Sequence, residues 1–284
     1  LAQDKLAHAL LFGLRGNPIV YYGDEFGLKG GNDKAARQDL FATQVSAWKT
    51  ETRIGGSPIG IKSSFVTSNS LQATMRTLTS LRTNYPVFAS GPLVIRYAAD
   101  GLVVVSRLDT NTSTEYLAVF NSNGISKRVP VVPSTVGATW KLLAGTGSVS
   151  TSRGVTTAQA NAYGFGFFKA SKALATPTGV SVTLTTPNTY SGDSSLIALS
   201  ASVAGSAFNT VEFFVQTSAN GAWQSLGTDD SPTAALLNGV SSGLYRVMPT
   251  KAQFTKGANL NFKAVVTGID GVTATSSTVG YLNN

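Results

Sequence analysis

Apolar and polar positions follow two different periods along this chain, and the period changes near residue 87. In residues 1–16 (LAQDKLAHALLFGLRG), Leu6, Leu10, Leu11 and Leu14 share one face at helical spacing. Gly16 can take positive φ and Pro18 cannot continue a helix, so the element ends there. Residues 19–22 (IVYY) form a short all-apolar run, the pattern of a parallel strand covered on both faces. Residues 23–31 read as loop. Residues 34–48 predict a short helix with Phe41, Val45 and Trp48 on its apolar side. Residues 70–85 predict a clearer one, with Ser70 as cap, a stripe of Leu71, Met75, Leu78 and Leu81, and Pro86 as its stop.

Beyond residue 87 the period is two. VIRYAADGLVVVSRLD predicts a hairpin about Asp100-Gly101, and EYLAVFN, KRVPVVP, ATWKLLAG and YGFGFFKA continue as short strands. ALATPT (residues 173–178) reads as a linker. VSVTLTTP, SLIALSASV, TVEFFVQT, AWQSLGT, GLYRVMPT, LNFKAVVTG and ATSSTVGYL then predict seven strands, with a hairpin at Asn220-Gly221 and an immunoglobulin-like sandwich as the outcome. The fold class expected is therefore mainly β. A helical N-terminal piece (1–86) precedes two antiparallel β-sandwich domains (87–172 and 177–284).

Composition narrows the classes of function. Charged residues make up 13% against a usual level of roughly 25%, and Ser, Thr, Asn and Gly supply the polar surface, as in secreted β-rich proteins. The net charge of +8 divides into +4, +5 and −1 over residues 1–86, 87–176 and 177–284, without a dense basic run, so nucleic acid is not an expected partner. No apolar run approaches the roughly 18 residues of a membrane helix. With no cysteine there is no disulfide, thiolate metal site or cysteine nucleophile. His8, the single histidine, sits mid-helix beside Leu6 and Leu10 and reads as packing. No residue cluster suggests a metal or other cofactor in this chain.

NPIVYYGDEFG resembles the eighth barrel strand of the alpha-amylase family, glycoside hydrolase family 13. GGNDKAARQDLF resembles the loop after it, and SLQATMRTLTSLRTNYPVFASG resembles the last barrel helix running into the family's C-terminal β-domain. Residues 1 to about 170 carry the likeness. The final unit is similar to immunoglobulin-like domains appended to bacterial glycosidases.

The resemblance implies a remnant of a (β/α)8 barrel, its last strand and flanking helices, in residues 1–86. It implies a secreted enzyme that cleaves α-glucans with retention. The family's Asp nucleophile, Glu acid/base and stabilising Asp would lie upstream of Leu1, and so would calcium where members bind it. The remaining partner expected is thus the upstream part of the same polypeptide, and this chain alone is expected to be inactive. Asp33 and Arg37 occupy positions where the family contacts sugar hydroxyls. A carboxylate accepts from hydroxyls while a guanidinium fork donates.

Asp24, Glu25 and Tyr22 follow at the functional end of the expected strand. Asp24 and Glu25 are adjacent and would point to opposite sides of an extended chain. They cannot be the carboxylate pair that retaining glycosidases hold about 5–5.5 Å apart. Trp48, Trp140 and Trp223 are candidates for stacking on sugar rings, Trp223 being the one expected to be exposed. The alternative reading is a non-catalytic carbohydrate-binding or structural β-module protein. The apolar faces of residues 6–22 and 71–81 are expected to be exposed if their barrel partners are absent.

Overall fold

The computed structural model describes residues 1–230, 232, 236–237, 240–241 and 243–284. Its helices are α1 (Ala2–Gly13), α2 (Ser46–Thr50), α3 (Ser70–Asn84) and α4 (Val87–Ser90). Strands β1 (Leu93–Ala99), β2 (Leu102–Asp109), β3 (Thr114–Asn121), β8 (Phe165–Ala173) and β5 (Trp140–Gly145) lie in that spatial order in one antiparallel sheet. β4 (Lys127–Val131), β7 (Val155–Ala160) and β6 (Ser148–Ser152) form a second sheet. Asp100 and Gly101 both take positive φ, which matches a hairpin turn to the strand twist and joins β1 to β2 as the sequence predicts.

The central sheet is covered on both sides, so β3 (TEYLAVFN) is buried along its whole length. On one side α1, α3 and α4 place Leu6, Phe12, Leu78, Leu81 and Phe88 against Val105, Tyr116, Phe120 and Phe167. On the other side Leu102, Val104, Leu117, Val119 and Phe168 meet Val131, Val149 and Ala158 of the second sheet. The helical stripe of Leu71, Met75, Leu78 and Leu81 is therefore buried, contrary to expectation. The sheet offers an apolar face of its own, and removing both faces from water is worth about 25 cal/mol per Å² of apolar surface. Within residues 6–22 and 71–81, large apolar residues are exposed only at Leu11 and in the segment that follows α1, at Ile19, Tyr21 and Tyr22.

Two arginines, Arg107 buried and Arg82 half-buried, secure the junction. Arg82 donates to the carbonyl oxygens of Phe12, Leu14, Gly16 and Phe88, and Arg107 to those of Gly13, Phe88 and Gly91. They gather the C-terminal carbonyls that a helix leaves unsatisfied. Burial first, then repulsion from Arg15 and Arg82, pushes Arg107 down to about 10.

The last unit packs two sheets. One contains β9 (Ser181–Leu184), β10 (Asn188–Thr189), β11 (Ile197–Ala204) and β16 (Leu244–Val247). The other contains β12 (Thr210–Gln216), β13 (Gln224–Asp229), β17 (Asn259–Thr267), β18 (Thr273–Thr275) and β19 (Val279–Leu282). Leu199, Val211, Phe213, Leu260 and Phe262 fill the space between them. Between β13 and β16, β14 (Leu236–Leu237) and β15 (Val240–Ser241) pair with one another, and β15 pairs with β1 at Tyr97↔Val240. Phe208 of this unit is buried against Val94 and Leu108 of the middle one, with the Arg96 guanidinium 5.5 Å from its ring centre.

The mainly β architecture, with antiparallel sandwiches behind a helical N-terminal piece, is as the sequence predicts, and five local expectations change. Residues 19–22 run without ladder partners, because a parallel strand needs neighbours that the described residues do not supply. No helix forms over residues 34–45. There the Thr43 hydroxyl accepts from Val45 N at 3.1 Å, a local bond that competes with helix. Asn69, not Ser70, caps α3 by accepting from Leu71 N at 2.8 Å. The expected linker is shorter, since β8 runs to Ala173 and Leu174 N donates to Ser113 O. The final expected strand divides into β18 and β19, because Ser276 turns inward and its hydroxyl accepts from Ala264 N.

Candidate functional site

The segment leaving α1 is shaped by glycines. Gly23 and Gly27 both take left-handed φ, 99° and 70°, and bracket a short 3-10 turn over Asp24–Phe26. A Cβ on Gly27 would stand 2.2 Å from the Ile54 carbonyl oxygen, so only glycine fits. Ile54 N donates to Gly27 O, and Asn69 Nδ2 donates to both Phe26 O and Ile54 O. Phe26 is buried and meets Phe65 edge-on, so the turn is anchored from below.

Downstream, Gly30 (φ 62°) turns the chain, and Ala36 N and Ala35 N donate to the Asn32 carbonyl and side chain. The turn sets Asp33 and Arg37 one helical pitch apart. Arg37 Nη2 donates to Asp33 Oδ1 at 2.7 Å, with both side chains well exposed, 62% for Arg37 and 77% for Asp33. Gly31 beside it does not take positive φ.

Tyr21 and Tyr22 tilt against each other with ring centres 4.8 Å apart. Partial desolvation, then Tyr21, raises the Tyr22 hydroxyl, while Arg37 lowers it. The Asp33–Arg37 pair thus forms one exposed polar group, and its Arg37 charge acts on the Tyr22 hydroxyl. The exposed carboxylate, guanidinium fork and phenol suit a polyhydroxylated ligand.

Asp24 and Glu25 are placed otherwise. Their turn is 3-10 rather than extended. Glu25 Oε2 accepts from Gly23 N at 2.8 Å and so closes the turn. Asp24 Oδ2 lies 4.0 Å from His8 Nε2, whose ring presents Nδ1 to the Asp4 carbonyl at 2.8 Å. The histidine packs, as the sequence predicts, and also faces this carboxylate. Among the described residues no group of three His, Asp, Glu or Cys side chains could hold a metal ion, and no helix is long and apolar enough to cross a membrane.

Sequence reasoning passed over Asn69, Arg53 and Gln38. All three are buried polar residues supporting this loop: Arg53 donates to Ser64 Oγ at 3.0 Å and Gln38 to Glu51. The only available signal was the Asn-Ser pair ahead of an apolar helical stripe.

The chain is similar in sequence to an alpha-amylase. It is 34% identical over 281 residues, 96% of its length, to an alpha-amylase of Streptomyces lividans. It spans 29% of that protein's length. No family model matches. Among solved structures, an Anoxybacillus alpha-amylase shares 19% identity at a TM-score of 0.48, covering 62% of this chain and 33% of that one. A Nostoc punctiforme debranching enzyme shares 25% identity at 0.43, covering 59% and 30%. With both TM-scores under 0.5, the weight rests on the Streptomyces match. The resemblance to the alpha-amylase family thus extends over nearly the whole chain.

Proposed function

We propose that this chain is the C-terminal part of a secreted alpha-amylase-type glycoside hydrolase acting on α-glucans with retention of configuration. The observation that carries this reading is the 34% identity to the Streptomyces alpha-amylase over 96% of the chain. The unpaired apolar segment at residues 19–22 supports it, since such a segment has a stable place between parallel neighbours. In this reading residues 1–86 complete a catalytic barrel, 87–172 form the amylase-type β-domain and 177–284 an immunoglobulin-like sandwich.

Asp33 and Arg37, with Tyr22 beside them, hydrogen-bond sugar hydroxyls. Asp24 and Glu25 hold the floor of the site. The two carboxylates that flank the scissile bond come from the rest of the polypeptide, so this chain alone is inactive. The test is starch hydrolysis by the longer polypeptide, with the product anomer followed by proton NMR. Retained α-configuration, with kcat/KM lowered roughly tenfold or more by Arg37→Ala, is expected for a lost charge-assisted hydrogen bond of about 1.5–3 kcal/mol. Inverted product, or full activity in both Asp33→Ala and Arg37→Ala, would overturn the assignment.

A further inference from the structure

A pocket lies in the seam between the helices and the middle β-unit. It measures about 420 Å³, is lined by Lys5 of α1, Thr74 and Thr77 of α3, and residues 145–146 and 161–165, and uses no residue of the site above. That volume is within the roughly 300–1,000 Å³ of small-molecule sites. We propose that it is a non-catalytic binding site for a neutral saccharide and, resting on the α-glucan reading above, for a short stretch of α-glucan chain.

The walls have the two characters a sugar requires. Tyr163, Phe165 and Ala162 offer apolar surface to the C–H face of a pyranose. The Lys5 ammonium, the Thr146 and Tyr163 hydroxyls and the Asn161 amide have no side-chain partner among the described residues, and they are free to meet hydroxyl groups. One ammonium without an arginine is little charge for an anion site but suits a hydroxyl-rich neutral ligand.

The backbone around the pocket favours binding over mere packing. Tyr163 holds φ at 49°, a conformation uncommon for a bulky residue. Its N–H donates to Asn123 O at 2.9 Å, and Gly164 N donates to Asn161 O at 2.9 Å. Such strain gathers at ligand sites, and here it places an aromatic ring where glycine would fit more easily. Gly124 makes room for that ring, since a Cβ there would stand 3.1 Å from the Tyr163 hydroxyl oxygen. A Cβ on Gly145 would stand 2.3 Å from the Phe165 carbonyl oxygen, so this part of the lining also requires glycine.

The test is calorimetric titration of the full 284-residue chain with maltotriose, and with cellotriose in parallel. Maltotriose is expected to bind. Asn161→Ala and Lys5→Ala should each weaken binding about fivefold, the loss of one hydrogen bond. Tyr163→Gly, which suits the left-handed backbone, should weaken it at least as much without lowering Tm. Arg128→Ala, at an exposed position of β4 outside the pocket, should leave binding unchanged. Absence of maltotriose binding, or binding that Arg37→Ala removes while Asn161→Ala does not, overturns the site. Equal binding of cellotriose overturns its α-glucan preference. Starch hydrolysis by the longer polypeptide is read separately, so a failure there leaves this result standing.

Discussion

Strands β2, β3 and β8 and the segment over residues 17–66 differ in how they are held. The strands give most of their side chains to a core, with Val104, Leu117, Val119 and Phe167 fully buried. The segment leaves Ile19 84% and Ile61 80% exposed, with Phe41, Phe65 and Val66 also open to solvent. What fixes it is polar: Asn69 on two carbonyls, Arg53 on Ser64, Gln38 on Glu51. One region is stabilised by burial that the chain completes itself. The other has a polar frame carrying an apolar surface that faces solvent, and the candidate site sits on that frame.

The largest effects that test this contrast lie in the sheets. Phe167→Ala should cost about 3–5 kcal/mol in denaturant unfolding, the usual loss for a buried phenylalanine. A similar loss is expected for Glu115→Ala. Glu115 is fully buried and accepts from Ser106 Oγ, Ser134 N, Thr135 N and Arg96, so removing it strands a buried cation, at about 3–5 kcal/mol. If either variant is near neutral, the core is not the seat of stability.

Asn69→Ala should cost about 2 kcal/mol, chiefly a lost helix cap, and should raise hydrogen exchange in residues 23–28 and 54–56 while sparing β3. Equal exchange in both regions would break the distinction. Alkali acts on the sheet side too. Burial raises the Tyr116 hydroxyl to about 12. The neutral phenol is the form the fold favours, so its contribution is intact below pH 10 and lost as pH rises from 10 to about 12. Unfolding midpoints measured across that window should fall, and fall less in Tyr116→Phe. The smallest effect belongs to Ile19→Ser, expected within about 0.5 kcal/mol in this chain because the side chain is already in water. A large loss would mean that the segment is packed after all.

Legibility in the sequence follows the same division. Period-two runs with strong turn signals, such as the one around Asp100-Gly101, were readable because burial on a sheet imposes the period itself. The hairpin of β6 and β7 (SVSTSRGVTTAQA) went unread, since Ser and Thr dominate it and its apolar core residues are only Val149, Ala158 and Ala160. Its turn, Arg153 and Gly154 both at positive φ, was the available clue. In the candidate site the motif placed Asp33 and Arg37 together, and they do pair. The role of Glu25 as a backbone acceptor was not legible, because it depends on a 3-10 turn that an extended-strand reading replaces.

The pairing of β15 with β1 makes one sheet, β14-β15-β1-β2-β3-β8-β5, run through both β-units. A module on a free tether would tumble with its own correlation time and sweep a volume set by its linker. A module stitched into its neighbour's sheet edge has neither freedom, and the pair should rotate in solution as a single body.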